Sequence, residues 1–277
     1  MDQHNKWREI TLTSAEKQAE HCVYVARFED SSADPNEIRR ISPEGYFLQP
    51  MIASGGESIV FWGRKEGGSG FEIWRYDIET DRRVRLTDRG AVSGHPFWSS
   101  DAGRVIYMTT ASGSNDSEWN MGRHFDLDRS PRHIWTMDRN GKHPEQLTDG
   151  PFADTRPCIS PDGDTVAFVS NRSGSLNLWS LSISSGELQQ VTEGEGLDYR
   201  PVFSPAGDRL AYFTSNSPEG KHDLCVMQWP DRQRDFPLPA GMFTWVHGPF
   251  WLADGKRTLF HGRLRGARHC ELWAVDL

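Results

Sequence analysis

The tetrapeptide Asp-x-Arg-Pro occurs twice in the chain, as Asp154–Pro157 and as Asp198–Pro201. Arg156 and Arg200 each carry a planar fork of donors that fits a carboxylate, phosphate or sulfate in a bidentate manner. One interpretation is that the two arginines bind an anionic ligand. The other is that each arginine pairs with the aspartate of its own motif, which the recurrence of the aspartates favours. The sequence leaves this choice open.

Further residues that can contact a ligand lie at comparable places, each close to a proline. They are polar or aromatic side chains, namely Gln49, His95, His247, Tyr199 and Trp245. A long insertion, from about residue 111 to about residue 132, is rich in Gly, Ser, Asn and Asp and adds Trp119 and His124. Long loops on a rigid scaffold commonly carry function. The tryptophan of this loop can stack on a sugar or fix the loop to the scaffold.

A strand–turn–strand unit recurs along the chain and must position these candidates. Residues 156–168 contain the turn Ser160-Pro161-Asp162-Gly163 and the apolar strand Val166–Phe168, and residues 200–212 repeat the pattern. Pro and Gly are typical of such turns, and β-branched and aromatic residues favour strands. The copies begin near residues 9, 50, 96, 157, 201 and 249. Their spacing of about 46 residues is the length of a four-stranded propeller blade.

The repeats predict an all-β protein that forms a single β-propeller domain over residues 1–277. We predict six four-stranded antiparallel blades, with five as the alternative, in which the N-terminal segment completes the last blade. In the first repeat, strands are expected over residues 10–13, 23–28 and 37–41. A fourth strand of that repeat is expected around Tyr46–Leu48.

Blade geometry predicts on which face each candidate lies. In a four-stranded blade, the residues just before the first strand share a face with the loops that join the second and third strands. We therefore expect an electropositive channel mouth formed by Arg156, Arg200, His95, His247 and Gln49, with Asp154, Asp198, Tyr199, Trp245, Trp119 and His124 close by. The aspartates of the first turn are expected on the opposite face as turn residues that bond to their own backbone: Asp101, Asp162 and Asp254.

The composition excludes several classes of function. The net charge is −8 and the pI is near 5.7, which argues against a nucleic-acid partner, because such a protein needs a basic face. No apolar run approaches the roughly 18 residues that cross a bilayer, so no membrane span is expected. The N-terminus has no secretory pattern, so we expect a cytoplasmic protein. The alternative is a protein exported after removal of a signal that this chain does not contain.

The repeats resemble a known family. Residues 160–172, Ser-Pro-Asp-Gly-Asp-Thr-Val-Ala-Phe-Val-Ser-Asn-Arg, and Leu176–Trp179 are similar to the TolB-like β-propeller repeat, the PD40 variant of the WD40-like repeat. The resemblance covers roughly residues 49–277 and implies the fold. It implies little about function, since propellers include binding modules and enzymes alike. The chain departs from TolB in lacking a signal sequence and room for an N-terminal α/β domain, so a role in the Tol envelope system is not carried over.

Two functional hypotheses remain. The first is a binding module whose electropositive channel mouth takes a partner protein, an anionic small molecule or an oligosaccharide, without a cofactor. The second is a propeller lyase that acts on acidic, uronate-containing oligosaccharides. In that case arginine would hold the carboxylate, and a divalent metal such as Mn or Ca would be bound by His95 and His247. No catalytic motif is visible, so the sequence does not decide whether the protein is an enzyme.

Overall fold

The computed structural model describes residues 7–10, 22–27, 37–68, 70–87, 92–110, 131–215 and 222–277. All regular elements in these ranges are β-strands, arranged in antiparallel sheets. The chain divides into two compact units. Unit 1 comprises Met1–Asp126 and Trp135–Gln146, and unit 2 comprises Leu127–Ile134 and Leu147–Leu277. This division does not test the prediction of one domain over residues 1–277.

The first eleven strands form three sheets, ordered β1-β2-β3, β4-β5-β6-β7 and β11-β10-β9-β8. Their bounds are β1 (Trp7–Ile10), β2 (Tyr24–Arg27), β3 (Glu37–Arg40), β4 (Gly45–Ile52), β5 (Ser58–Lys65), β6 (Glu72–Asp77), β7 (Arg82–Arg85), β8 (Ser93–Trp98), β9 (Arg104–Thr110), β10 (Arg132–Asp138) and β11 (Glu145–Gln146).

Unit 2 holds three further sheets, ordered β12-β13-β14-β15, β16-β17-β18-β19 and β20-β21-β22. Their strands are β12 (Thr155–Ile159), β13 (Thr165–Ser170), β14 (Asn177–Ser182), β15 (Leu188–Gln190), β16 (Asp198–Phe203), β17 (Arg209–Thr214), β18 (Asp223–Gln228), β19 (Arg234–Asp235), β20 (Phe243–Trp251), β21 (Arg257–Leu264) and β22 (Glu271–Asp276).

The first strand of five sheets contains the same irregularity, a β-bulge at an X-Pro dipeptide. In β12, Thr155 pairs with Val169 and Cys158 pairs with Ala167, so Arg156 and Pro157 together oppose one residue. Equivalent register shifts interrupt β4, β8, β16 and β20. A bulge leaves one residue unpaired, which suits proline because it has no N–H to donate.

Each bulge opposes a buried aromatic residue on the second strand. These residues stand twelve positions after X in every repeat and are at most 5 % exposed: Phe61, Tyr107, Phe168, Tyr212 and Phe260. Every bulge is thus paired with a large ring that is removed from water, and such rings contribute strongly to the stability of a fold.

The turn between the first and second strands is also constant. The closing N–H donates to the first C=O at 2.9 Å in Ser160–Gly163, in Ser204–Gly207 and in Leu252–Gly255. The predicted role of the turn aspartates is confirmed. Oδ1 of Asp162 accepts from the N–H of Asp164 at 3.0 Å, and Asp101 and Asp254 accept in the same way from Gly103 and Lys256.

A threonine after the fourth strand fastens three of the sheets. Thr87, Thr148 and Thr192 each accept, through Oγ1, the N–H of a third-strand residue at 2.9 Å, namely Ile73, Ile134 and Leu178. These threonines lie in the Leu-Thr and Val-Thr dipeptides that end the repeats. The side chain thus supplies the acceptor where the backbone ladder stops.

Of the two predicted blade counts, five is the one that the described residues show. Five sheets have the bulged first strand, and four of these have four strands. The sheet β1–β3 pairs in regular register and has three strands. The fourth strand predicted around Tyr46–Leu48 is wrong, because these residues begin β4, where Tyr46 pairs with Arg64 and Leu48 with Trp62.

Candidate anion-binding site

The bulges hold four of the eleven predicted site residues. Four of the five X positions are non-glycine residues with positive φ, namely Gln49 at 47°, His95 at 52°, Arg156 at 51° and Arg200 at 57°. In the fifth bulge X is Gly248, at 95°. The residues were expected just ahead of their strands, but they lie inside them, because each first strand continues on the N-terminal side of the bulge.

This backbone conformation is costly for a residue with a side chain. The left-handed region costs an L-residue about 1–2 kcal/mol, which glycine does not pay. Residues held in such a conformation cluster at functional sites, and bulges re-aim the side chains that they carry. The repeated use of Gln, His and Arg where Gly suffices makes the bulges candidates for function.

The two bulges of unit 1 meet at one tryptophan. Nε1 of Trp62 donates to Oε1 of Gln49 at 2.8 Å, and the ring of Trp62 lies 4.9 Å from that of His95 between centroids. A Cβ on Gly94 would come within 2.9 Å of the same indole, so the residue before His95 has to be small. Gln49 and His95 are therefore held against Trp62 by a hydrogen bond and a ring contact.

Two of the three bulges of unit 2 carry cations. Arg156 is buried, at 6 % exposure, and Arg200 is partly buried. Burial lowers the pKa of Arg156 to about 10, with a further lowering from Arg132. Burial also lowers the pKa of Arg200 to about 9, and the nearby Arg156 lowers it further. Both groups remain protonated at neutral pH, so the site concentrates positive charge in a poorly solvated place.

The aspartate of the first motif pairs with an arginine outside that motif. Asp154 is completely buried and accepts from Nη2 of Arg172 at 2.6 Å and from the hydroxyl of Ser170 at 2.6 Å. Asp198 is also buried, at 1 % exposure. Within the described part of the chain, neither carboxylate is among the charges that shift the pKa of Arg156 or Arg200. The described contacts thus assign a partner to Asp154, which is Arg172.

Tyr199 joins the arginine pair to a histidine. Its hydroxyl lies 2.7 Å from Nδ1 of His222, and the two rings meet edge to face at 5.6 Å. Burial raises the pKa of Tyr199, while Arg200 and Arg156 lower it. The hydroxyl thus lies within electrostatic reach of both guanidinium groups.

His247 lies next to the fifth bulge and forms a stacked pair with Trp245. The ring centroids are 5.9 Å apart and the planes are inclined by 19°. Trp245 is 41 % exposed, which is unusual for so large an apolar side chain. An exposed indole of this kind offers a flat surface for a sugar ring or another planar group.

Two predicted residues, Trp119 and His124, lie outside the described residues. The described ranges contain no group of three or more His, Cys, Asp or Glu side chains that could hold a metal ion. The absence of a cofactor and the alternative metal ligands His95 and His247 stay predictions. No helix in those ranges is long and apolar enough to cross a membrane.

Two contacting residues were not among the sequence candidates: Trp62 and Arg132. Their contacts cross between strands, so no local motif marks them. The aromatic residues that oppose the bulges were also missed, although their constant spacing of twelve from X was available as a signal.

Comparison with known proteins shows what this chain is similar to. Residues 126–236 match the PD40 family, described as the TolB beta propeller domain. An uncharacterised protein of Agrobacterium fabrum, Atu1656, is 29 % identical over 115 residues, which are 42 % of this chain and 33 % of that protein. The match therefore spans about a third of that relative's length.

Two solved structures share the fold. The crystal structure of TolB from Acinetobacter baumannii superposes with a TM-score of 0.66 at 16 % identity, over 93 % of this chain and 60 % of that one. Oligogalacturonate lyase from Vibrio parahaemolyticus gives a TM-score of 0.60 at 10 % identity, over 91 % of this chain and 71 % of that one. At these identities the likeness shows the fold alone. The chain thus has the β-propeller fold of these structures, and its residues 126–236 match the TolB beta propeller family.

Proposed function

We propose that this protein is a binding module that takes an anionic small molecule or oligosaccharide through Arg156 and Arg200. The single observation that carries the proposal is the pair of poorly solvated guanidinium groups on equivalent bulges, whose pKa values are lowered by burial. Arg156 also lowers the pKa of Arg200, and a place where like charges act on each other favours the binding of an anion.

The backbone strengthens this inference. Each arginine occupies a left-handed conformation that a glycine would adopt without cost, as Gly248 does in the fifth bulge. Strain of about 1–3 kcal/mol at such positions commonly accompanies ligand binding, because it holds a side chain ready before the ligand arrives. The two arginines are thus pre-positioned, and little ordering entropy remains to be lost on binding.

The chemistry of the site favours a carboxylate, sulfate or phosphate group. A guanidinium group presents two parallel N–H donors to two oxygens of such an anion. The exposed and stacked pair of Trp245 and His247 favours a ligand that also has a flat ring, such as an acidic sugar. A protein partner that presents a carboxylate fits the same donors and belongs to the same proposal.

The lyase hypothesis stays an alternative without a specific observation in its favour. The likeness to oligogalacturonate lyase is one of fold, and the described ranges hold no group of metal ligands. Cytoplasmic location likewise stays a prediction.

The proposal is tested by calorimetric titration of the purified chain with sulfate and with oligogalacturonate. We expect binding by the wild type and a loss of at least about tenfold in affinity for each of Arg156→Ala and Arg200→Ala, since hydrogen bonds to charged groups contribute about 1.5–3 kcal/mol. The matched control is Arg232→Ala, which removes one exposed cation of unit 2 that bonds to Gln189 and Gln190. Equal affinity in the wild type and the Arg156→Ala Arg200→Ala double variant would refute the proposal.

A further inference from the structure

One of the five bulged sheets, β20-β21-β22, has three strands within the described ranges, whereas the other four have four. In those four sheets the fourth strand pairs with the third. The third strand β22 therefore has an outer edge with which no described strand pairs. Such an edge presents a row of backbone N–H and C=O groups to an extended chain that fits it.

The third strands of two sheets are nearly the same in sequence. β22 reads Glu-Leu-Trp-Ala-Val-Asp over residues 271–276, and β6 reads Glu-Ile-Trp-Arg-Tyr-Asp over residues 72–77. Their register is also the same, because each tryptophan pairs with the buried aromatic residue of its second strand. The complete sheet of β6 therefore indicates which contacts the sheet of β22 lacks.

In the complete sheet, the residue before the tryptophan is bonded to the segment that follows β7. The C=O of Ile73 accepts the N–H of Leu86 at 2.8 Å, and its N–H donates to Oγ1 of Thr87 at 2.9 Å. Ile73 and Leu86 also belong to one buried cluster. The residue of β22 that corresponds to Ile73 is Leu272, which is 64 % exposed. An apolar side chain of β22 thus stands in water where its counterpart is packed.

Acidic residues stand at both ends of the two third strands. In β6, Oε1 of Glu72 accepts from Nη1 of Arg85 at 3.1 Å, and Asp77 lies opposite Arg82 in the register. The counterparts in β22 are two exposed acids, Glu271 and Asp276. Opposite charges on facing strands stabilise their pairing and like charges destabilise it. The outer edge of β22 therefore favours a strand with a basic residue opposite each end.

We propose that the outer edge of β22 binds an extended basic segment of a partner protein, with the pattern Arg-x-x-Arg-Leu-Thr of residues 82–87, as the fourth strand of this sheet. In this mode of recognition main-chain hydrogen bonds supply affinity and side chains supply specificity. The leucine of the partner covers Leu272, the threonine accepts the N–H of Leu272, and the arginines face Glu271 and Asp276. None of these residues belongs to the proposed anion site, so the two proposals are tested separately.

The experiment is fluorescence anisotropy of the full chain with a labelled peptide, Asp-Arg-Arg-Val-Arg-Leu-Thr, which reproduces residues 81–87. We expect saturable binding by the wild type. Glu271→Lys should weaken it about tenfold, because the reversed charge removes an attractive pair and adds a repulsive one. The matched control is Glu195→Lys, which makes the same change of charge at an exposed residue of unit 2 outside β22. Its affinity should lie within about twofold of the wild type.

Two altered peptides test whether the peptide pairs as a strand. A methyl group on the backbone nitrogen of the leucine removes the N–H that corresponds to that of Leu86, and we expect a loss of affinity of about tenfold. In an antiparallel ladder the N–H of the preceding arginine points away from the partner strand. A methyl group on that nitrogen is therefore the control, and it should weaken binding much less.

The outcomes either support or overturn the proposal. Weaker binding by Glu271→Lys and by the peptide methylated at leucine supports it, with circular dichroism to establish that the variant is folded. No binding by the wild type overturns it. Equal binding by Glu271→Lys and Glu195→Lys also overturns it, because the peptide would then bind elsewhere. Sedimentation of the chain alone tests for a second copy, since a dimer that Leu272→Asp dissociates would assign the edge to self-association and overturn the partner.

Discussion

The bulges of unit 1 and unit 2 use one backbone design for two kinds of chemistry. In unit 1, the side chains of Gln49 and His95 meet Trp62 through a hydrogen bond and a ring contact. In unit 2, the equivalent residues Arg156 and Arg200 are cations, and Arg156 lowers the pKa of Arg200. The backbone φ values of the four residues differ by no more than 10°. The fold therefore supplies a constant backbone conformation, and the residue at X determines which side chain occupies that position.

The comparison teaches how to separate structural from functional residues in this repeat. The proline, the opposing aromatic residue and the first turn are shared by the bulges of both units and serve packing. The X residues are Gln, His, Arg, Arg and Gly in chain order, and the left-handed conformation of all five is one that glycine adopts without cost. A residue type that varies at a strained position is better explained by ligand chemistry than by stability.

The largest expected effect on stability concerns the buried aromatic residues that oppose the bulges in both units. Phe61→Ala in unit 1 and Phe168→Ala in unit 2 remove fully buried rings that oppose the bulges. We expect each to lower the free energy of unfolding by about 3–5 kcal/mol, as for other buried aromatic residues. Urea unfolding followed by tryptophan fluorescence measures this, with the half-exposed Phe236→Ala as the control, expected within about 0.5 kcal/mol. A large cost in one unit and none in the other would break the equivalence of the bulges.

A smaller effect is expected for the hydrogen bond between Trp62 and Gln49 in unit 1. Trp62→Phe keeps an aromatic ring but removes the N–H that Gln49 accepts. We expect a loss of stability of about 1–3 kcal/mol, because a partly buried acceptor loses its partner. Gln49→Met in the Trp62→Phe background removes that acceptor and should recover part of the loss. If the double variant is as unstable as the sum of the single ones, the hydrogen bond is not what holds Gln49.

The smallest effect tests the backbone strain in both units. Gly should be more stable than Ala by about 1 kcal/mol at positions 95 and 156, because alanine pays for positive φ and glycine does not. In a regular strand the order is reversed, so Ser180→Gly should be less stable than Ser180→Ala by about 0.5–1 kcal/mol. Thermal unfolding of the three Gly/Ala pairs decides the matter. The same order at all three positions would show that the bulges carry no strain.

Local sequence patterns predicted the repeats well because their determinants are local. The Ser-Pro-Asp-Gly turn and the short apolar strands depend on neighbouring residues, and the five bulged first strands lie where the repeats were expected to begin. Pairing register was not predictable in the same way. Residues 46–48 were assigned to the first repeat instead of the second. The reason is that an eight-residue first strand with a bulge looks like two short strands in the sequence.

For the candidate site, the sequence named residues but not their contacts. The sequence identified Arg156, Arg200 and Tyr199, but it could not separate pairing with the motif aspartates from ligand binding. Asp154 pairs with Arg172, which follows the second strand of the same hairpin, β13. Positive φ at arginine runs against residue preference, so no propensity rule indicates it. Such conformations follow from tertiary pairing and become visible only in the fold.

The most direct test of the central claim compares the wild type with Arg200→Met by urea unfolding, with and without sulfate at matched ionic strength. Without sulfate, we expect Arg200→Met to be more stable by about 1 kcal/mol, because it removes one of two like charges from a poorly solvated place. With sulfate, the wild type should gain additional stability through binding and overtake the variant. Any general stabilisation by sulfate is common to both proteins and cancels in the comparison. A variant that is less stable without sulfate, or an equal response of both proteins to sulfate, would contradict the account.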